Sequence, residues 1–380
     1  MNMNARLKYE EAFCRLVGAE GARAFGLGRQ ALVILLKALG VDAGDRVGVC
    51  SFTCLSVAEA VKVCGAIPVY IDVDEYLCID TQKILQQNKG ALKVIILQHT
   101  FGNPGKLDDL LGACKKINAL VIEDCAHALG CYWNGRPLGQ FGEGAIYSFQ
   151  WGKPYTTGQG GMLSVNSSDL LDKVDAQIEL LASLASIKSE LILRCQRTVY
   201  SFLRGSKVEG GIRKIYSKLR DKGFIKGLFK IEKTFELYPG YIRRMGEITA
   251  KAGLKQLKIW PELKKQRQKN VEIIEDKLCK SGLNLWPRPT SADVVMLRYP
   301  VLTAHKTRII EKARKQNLDI AGWYTSPVHP LHGDDLTKVN YHLGDCHDVE
   351  SIIEQLVHLP TGLGVNSSKT ETMIKIISEN

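Results

Sequence analysis

The 380-residue sequence lacks the features of a membrane-spanning or secreted protein. It has no apolar run of about 18 residues, the length that a membrane-spanning helix requires. Its first residues, MNMNARLKYEEAF, lack the apolar stretch of a secretory signal. The eleven cysteines include no CxxC pair, and this odd, scattered set argues against a disulfide framework and for a reducing compartment. We therefore expect a cytoplasmic protein.

No internal repeat or low-complexity tract interrupts the sequence. Hydrophobic residues make up 45% and charged residues 24%, which is typical of soluble domains with a large core. At roughly 100–200 residues per domain, the length predicts two domains.

The net charge of +11 is concentrated in one segment. Residues 188–233 hold thirteen lysines and arginines against four acidic residues, a net charge of +9. Apolar residues alternate with these cations, so the segment is either a solvated helical insertion with an apolar inner face or an element that binds an anionic membrane surface. Nucleic-acid binding is disfavoured, because the sequence contains no recognised nucleic-acid module.

The first half of the sequence predicts a three-layer α/β/α domain. Helical patterns, such as residues 56–65, separate short apolar runs that show no polar alternation, as expected of strands covered on both faces. This βαβ series predicts a mixed, mostly parallel sheet. The five predicted strands are 46–52, 67–73, 93–99, 119–126 and 144–150.

The second half predicts a smaller domain. Strand patterns stop near residue 183 and return with a predicted strand at 294–302 and an amphipathic helix at 305–316. We expect a large domain over residues 1–260, with the basic helical insertion at about 183–238, and a C-terminal α+β domain over 261–380.

Three features lie where an α/β sheet binds its ligands, beyond the carboxyl ends of the strands. Asp124 ends one predicted strand, Ser148 and Lys153 follow another, and Gly28 precedes a helix. Separately, they are typical of a helix cap, a loop lysine and a turn. Together they predict a site for an anionic cofactor with a ring nitrogen, because a helix N-terminus binds phosphate, a carboxylate holds a pyridine proton and a lysine bonds covalently to a carbonyl.

Residues 122–163, IEDCAHALGCYWNGRPLGQFGEGAIYSFQWGKPYTTGQGGML, resemble the DegT/StrS-type sugar aminotransferases. The family pattern runs E-D-x-A-Q/H, then G-x-x-G-x-x-G-D/E, then S-F-x-x-x-K-x-x-x-T-G-E-G-G. The resemblance implies the type I fold of PLP-dependent transferases, where PLP is pyridoxal 5′-phosphate. Residues 180–238 are the main part of the chain that the resemblance does not cover.

The resemblance also implies roles for individual residues. Lys153 matches the lysine that carries the cofactor, and Asp124 matches the partner of its ring nitrogen. Lys153 is the only charged residue in 147–161, which agrees with a nucleophilic amine, because an adjacent carboxylate would favour the ammonium form. The other expected cofactor-binding residues are His127 against the ring, Ser148, Gly28 and Arg29 at the phosphate, and Gln150 and Cys54.

Three further residues are expected to contact the substrate, namely Tyr324, His329 and Arg244. The sequence departs from the family at Cys54, Gln150 and Ile242, where the family usually has an aromatic residue, a histidine and an asparagine. A metal site built on HPLH (329–332) with His342, Cys346 and His347 fits no strong ligand spacing, so we expect no metal.

The resemblance implies an aminotransferase that moves an amino group, from a donor such as glutamate, to a keto group of a nucleotide-activated sugar. It also implies a homodimer whose partners share their active sites. Peripheral attachment to an anionic membrane through residues 188–233 is a further expectation. Two alternatives stay open: another PLP reaction such as sugar dehydration, which the presence of Lys153 disfavours, and a non-catalytic PLP-binding regulator at the membrane surface.

Overall fold

The computed structural model describes residues 4–203 and 235–379. Most of the expected basic insertion, residues 204–234, therefore lies outside the described residues. The described part contains the helices α1 (Ala5–Val17), α2 (Gly28–Ala38), α3 (Leu55–Val63), α4 (Thr81–Leu85), α5 (Leu107–Lys116), α6 (Ser168–Leu181), α7 (Ile187–Leu203), α8 (Glu247–Lys280), α9 (Lys306–Lys315), α10 (His347–Gln355) and α11 (Ser367–Ser378).

The strands of the described part are short. They are β1 (Gly21–Phe25), β2 (Arg46–Cys50), β3 (Thr53–Cys54), β4 (Ile67–Ile71), β5 (Val94–Gln98), β6 (Leu120–Asp124), β7 (Tyr132–Trp133), β8 (Arg136–Pro137), β9 (Gly144–Ser148), β10 (Gly161–Val165), β11 (Ala182–Ser183), β12 (Ile242–Arg243), β13 (Ala292–Asp293), β14 (Arg298–Leu302), β15 (Val328–His329) and β16 (Leu356–Pro360).

The central sheet has seven strands in the order β1-β10-β9-β6-β5-β2-β4. The strands β4, β2, β5, β6 and β9 run parallel, and β10 runs antiparallel to both of its neighbours. The predicted mixed, mostly parallel sheet is confirmed, and all five predicted strands belong to it. The sequence patterns missed β1, at the edge of the sheet, and β10 next to it.

Two apolar layers cover the sheet, because successive strand residues point to opposite faces. In β5, Val94 and Ile96 pack with α2, α3 and α6, whereas Ile95 and Leu97 pack with α1, α5 and the C-terminal part of the chain. Helix α2 is buried at nine of its eleven positions, which explains why its sequence has almost no polar face.

The C-terminal part pairs β14 with β16 in an antiparallel ribbon. Residues of α9, α10, α11 and the second half of α8 pack against this ribbon. Helix α8 runs continuously through residues 260 and 261, where the sequence pattern put the domain boundary. The division into 1–260 and 261–380 stays a prediction.

A parallel pair of short strands connects the C-terminal part to the large sheet. Strand β15 pairs with β3, so that Val328 faces Thr53 and His329 faces Cys54. Within the described residues, no helix combines the length and apolar character needed to cross a bilayer.

Candidate active site

A cavity of about 540 Å³ lies at the carboxyl ends of the parallel strands. Asp124 is the last residue of β6, Ser148 is the last residue of β9, and α2 begins beside them. The structure brings together ten of the eleven residues expected at the site. They are Gly28, Arg29, Cys54, Asp124, His127, Ser148, Gln150, Lys153, Tyr324 and His329.

The amine of Lys153 and the carboxylate of Asp124 share this cavity. Burial lowers the pKa of Lys153 from its ordinary value, and the nearby Cys54 and Asp124 only partly oppose that shift. Burial also raises the pKa of Asp124, against the opposing effects of a hydrogen bond from Ala126 N–H to Asp124 Oδ1 and of the Lys153 charge. The lysine is thereby easier to deprotonate than a free amine, as a nucleophile requires.

His127 is held from behind by Phe101, a residue that sequence reasoning missed. The backbone N–H of Phe101 donates to His127 Nδ1 at 3.2 Å, and the two rings are nearly parallel with centroids 6.0 Å apart. His127 lines the cavity, whereas Phe101 is outside its lining and 1% exposed. Burial, together with the charges of Lys153 and His358, keeps the pKa of His127 well below its ordinary value. The ring is therefore neutral and lines the cavity.

The first turn of α2 forms the other end of the cavity. The N-cap residue, Leu27, has no side-chain hydrogen bond to the helix. A Cβ on Gly28 would lie 3.3 Å from Ser148 Cβ, and a Cβ on Gly161 would lie 2.4 Å from Gly28 N. Glycine at both positions lets the helix N-terminus approach the ends of β9 and β10, which is the geometry of a phosphate-binding turn.

Arg29 lies beside this turn and pairs with a buried carboxylate. Its Nη1 is 2.9 Å from Glu59 Oε2, and Tyr241 Oη donates to Glu59 Oε1 at 2.9 Å. Among the described residues, Arg29 Nε is buried without a hydrogen-bond partner. The guanidinium thus has a fixed position and a donor left over for an anion.

Gln150 follows β9, and Cys54 is the last residue of the short strand β3. Gln150 forms a bridge with Gly158 and accepts a hydrogen bond from Lys153 N, which ties the lysine loop together. Cys54 is the N-cap residue of α3, and burial raises the pKa of its thiol.

The C-terminal part provides Tyr324 and His329. The Tyr324 ring is 5% exposed and packs on Phe52, with centroids 4.5 Å apart, and on His329, with centroids 5.3 Å apart. Sequence reasoning also missed Gln98, which lines the cavity at the end of β5 and donates to Phe52 O. Its signal was the polar residue that closes the apolar run VIILQ.

Arg244 is the one expected residue that lies outside the cavity. Its Nη2 is 2.6 Å from Glu10 Oε1, and its Nε donates to Ala24 O. It lines a neighbouring cavity of about 220 Å³, which shares Leu27, Arg29 and Gln159 with the first. Because Glu10 is 4% exposed, this ion pair fastens the segment before α8 to α1 and β1.

Glu123, the residue before Asp124, is fully buried and stabilises the fold outside the cavity lining. It is hydrogen-bonded to His99 and accepts from the backbone N–H groups of Gly139, Phe141 and Gly142. Burial alone raises the pKa of Glu123, but these donors outweigh it and the pKa is lowered. Glu123 thus holds the loop between β8 and β9 under the site.

Comparison with known proteins agrees with this geometry. Residues 3–378 match the DegT/DnrJ/EryC1/StrS aminotransferase family. The chain belongs to this family. The aminotransferase class and PLP, the family's cofactor, are thereby confirmed.

Individual relatives match over nearly the whole chain or over part of it. GDP-perosamine synthase of Caulobacter vibrioides is 27% identical over 383 residues, which cover 98% of this chain and 89% of the relative. GDP-perosamine synthase of Escherichia coli O157:H7 is 34% identical over 167 residues, 44% of this chain and 46% of the relative. The crystal structure of the sugar aminotransferase CalS13 from Micromonospora echinospora superposes with a TM-score of 0.76 at 19% identity, covering 100% of this chain and 92% of that one. At that identity it shows the fold alone, and the predicted type I fold is confirmed.

The residues of the cavity fit PLP. The turn at Gly28 and Ser148, with the unpartnered Nε of Arg29, suits a phosphate. Asp124 suits a protonated ring nitrogen, and the depressed pKa of Lys153 suits a covalent bond to an aldehyde.

Proposed function

We propose that this enzyme moves an amino group, from glutamate, to a keto group of a nucleotide-activated sugar. The observation that carries the proposal is the convergence of Lys153 and Asp124 in one cavity at the strand ends. The names of the relatives support a nucleotide-linked sugar as the acceptor, because two of them are GDP-perosamine synthases.

We assign one task to each part of the cavity. Gly28, Arg29 and Ser148 bind the cofactor phosphate, His127 packs on the ring, and Asp124 holds the proton of the ring nitrogen. When bound, PLP supplies a ring that accepts electrons and so makes the α-proton of the amino donor acidic. Lys153 carries the cofactor and, once released by the donor, moves the proton between the two reacting carbons.

The remaining cavity residues face the acceptor in this proposal. Tyr324 and His329, which the C-terminal part of the chain contributes to the cavity lining, contact the acceptor sugar, and Gln150 and Cys54, expected at the cofactor, line the same cavity. Arg244 would reach a substrate only after breaking its contact with Glu10, so its expected substrate role is the weakest of the assignments. The division into a large domain and a small domain agrees with a site that both parts line.

Absorbance spectroscopy of the purified, PLP-loaded protein tests the proposal. Adding glutamate should shift the cofactor band, and a nucleotide-linked keto sugar should restore it while the aminated sugar forms. A Lys153→Ala variant is the matched control and should show neither change. A loaded protein whose band never responds to amino donors supports the non-catalytic regulator, and release of water without amination supports a dehydratase.

We further propose a cytoplasmic homodimer that attaches to anionic membranes through residues 188–233. The described part of this region, residues 188–203, has exposed apolar side chains beside cations: Leu191 and Val199 are 48% and 56% exposed, and Lys188 and Arg194 are exposed too. Basic residues near an anionic leaflet contribute about 1 kcal/mol each.

Co-sedimentation with vesicles tests the membrane proposal. Binding to anionic vesicles should weaken with salt and disappear when 188–233 is deleted, and neutral vesicles should not bind. Equal binding to both kinds of vesicle, or none, would contradict it and leave these exposed side chains for a contact within the oligomer.

A further inference from the structure

A chain of hydrogen bonds leads from the protein surface to the wall of the cavity. The hydroxyl of Thr325 lies 3.0 Å from His332 Nε2 and 3.2 Å from His329 Nδ1. His332 and Thr325 are exposed, whereas His329 lines the cavity and is half-buried. The three side chains therefore connect solvent with the site.

The backbone determines which nitrogen of His329 carries the proton. The N–H of Thr325 donates to His329 Nδ1 at 3.4 Å, so in the neutral ring Nδ1 is an acceptor and Nε2 carries the hydrogen. A hydroxyl both donates and accepts, so Thr325 can receive a proton from His332 while it gives one to His329. The Nε2–H of His329 is then the group left to face a ligand.

The proposed amination needs a proton donor at the cavity wall, where His329 Nε2 lies. The inference that follows rests on this proposed function. The nitrogen replaces the keto oxygen, so a carbon–oxygen bond breaks and the oxygen leaves as water. In net terms, both hydrogens of that water come from the amino group that attacks the keto carbon. A general acid has to protonate the departing oxygen before the nitrogen loses its own proton. The proton that the nitrogen loses then reprotonates the acid.

We propose that His332, Thr325 and His329 form a proton relay that lends this proton to the departing oxygen. His329 Nε2 gives its proton to the oxygen while Nδ1 receives one from the Thr325 hydroxyl. Thr325 is reprotonated by His332 Nε2, and His332 exchanges with solvent. The proton that the nitrogen releases then goes to His329 Nε2, and Nδ1 gives its proton back through Thr325 and His332 to solvent. This step restores the Nε2–H form of His329 and leaves no net charge on the protein.

The surroundings of His329 explain why it needs a relay. Burial and the neighbouring His332 hold the pKa of His329 at about 4. The other groups around it are the Tyr324 ring, Cys54 on the paired strand β3, and Lys153 across the cavity. Since the imidazolium form is scarce near neutral pH, His329 can give a proton from Nε2 only as it receives another at Nδ1.

Variants of Thr325 test the relay in the holoenzyme. Thr325→Val keeps the shape and removes the hydroxyl, and it should slow amination of the keto sugar about 10- to 100-fold, within the range of general acid catalysis. Thr325→Ser should restore most of the rate, and His332→Gln should behave like the valine variant. The solvent deuterium isotope effect should show that more than one proton moves in the rate-limiting step of the wild type. In Thr325→Val it should show that a single proton moves. Thr337→Val is the control, because its hydroxyl bonds to Asp334 O away from the site.

Nitrogen NMR of the histidines gives a readout that does not depend on turnover. The wild type should show His329 as the Nε2–H tautomer, and Thr325→Val should shift its Nδ1 resonance while the cofactor spectrum stays the same. Equal rates in Thr325→Val and the wild type, or an Nδ1–H tautomer, would overturn the relay. If no keto sugar reacts, the proposed function fails. The relay is then tested by the rate of the glutamate half-reaction in the same variants, because water adds in that half-reaction and the proton moves in the opposite direction.

Discussion

At the residue scale, Lys153 combines burial with a lack of neighbouring counter-charge along the chain. Borohydride reduction of the loaded enzyme should attach the cofactor permanently to Lys153, and peptide mapping identifies the labelled residue. Lys153→Ala should abolish transamination, because no other amine is proposed to move the proton. Because its pKa is lowered, PLP should bond to the apoenzyme at a rate that rises with pH and levels off below the ordinary lysine value of 10.5. A label on another lysine would contradict the assignment.

Asp124 has to stay charged for its proposed role, whereas Lys153 has to lose its charge. Burial opposes the charged form of Asp124, because it raises the pKa of this carboxyl group. Asp124→Asn should leave PLP bound but slow turnover by about 100-fold or more, the scale of losing one preorganised electrostatic contact. It should also lower the pKa of Lys153 further, because the carboxylate favours the ammonium form. Stopped-flow measurement of both half-reactions checks the rate, and near-normal turnover would exclude the assigned role.

The sequence predicts that Arg29 binds the cofactor phosphate, and the structure shows in addition that it pairs with the buried Glu59. Arg29→Ala should weaken PLP affinity about tenfold or more, since hydrogen bonds to charged groups contribute about 1.5–3 kcal/mol. The same change removes the ion-pair partner of the buried Glu59, so stability should fall as well. The double variant Arg29→Ala/Glu59→Gln separates the two effects: it should regain stability and still bind PLP weakly. Unchanged affinity in Arg29→Ala would place Arg29 outside the phosphate site.

At the element scale, the position of α2 depends on its contact with β10. Gly161→Ala should destabilise the protein by about 1–3 kcal/mol, because the new methyl group would overlap the backbone of Gly28 and Leu27. PLP affinity should fall too, since the helix N-terminus moves. Gly112→Ala in α5 is the matched control: it meets nothing within 4 Å and should be neutral or slightly stabilising. Chemical denaturation and PLP titration measure both, and an unaffected Gly161→Ala would show that α2 tolerates displacement.

At the scale of the whole molecule, we expect a homodimer with shared active sites. Sedimentation velocity should give twice the mass of one chain at micromolar concentration, and dilution to monomers should abolish activity. An active monomer would contradict the prediction. The neighbouring cavity, lined by residues of α7 and the segment before α8, shares lining residues with the active-site cavity, and we expect the second chain to contact the site there.

The sequence predicted the part of this molecule that depends on local pattern. Five buried strands, the helices between them, and the Lys153 and Asp124 pair follow from hydrophobic periodicity and motif spacing, because strand ends on one edge of a parallel sheet meet in space. Strand β1 (GARAF) was missed, since glycine and alanine have weak strand propensity. Strand β10 (GMLSV) was missed because it is only five residues long and follows the glycines at 158 and 160, which mark a turn.

Contacts between distant segments were decided by the tertiary structure alone. Glu10 holds Arg244 away from the cavity, Phe101 fixes His127, and β15 brings His329 to β3. These partners are 26 to 275 positions apart, so no periodicity or motif relates them. The sequence thus determined which chemical groups meet in the cavity, and the fold determined their protonation, orientation and partners, because burial and long-range hydrogen bonds exist only once the chain has packed.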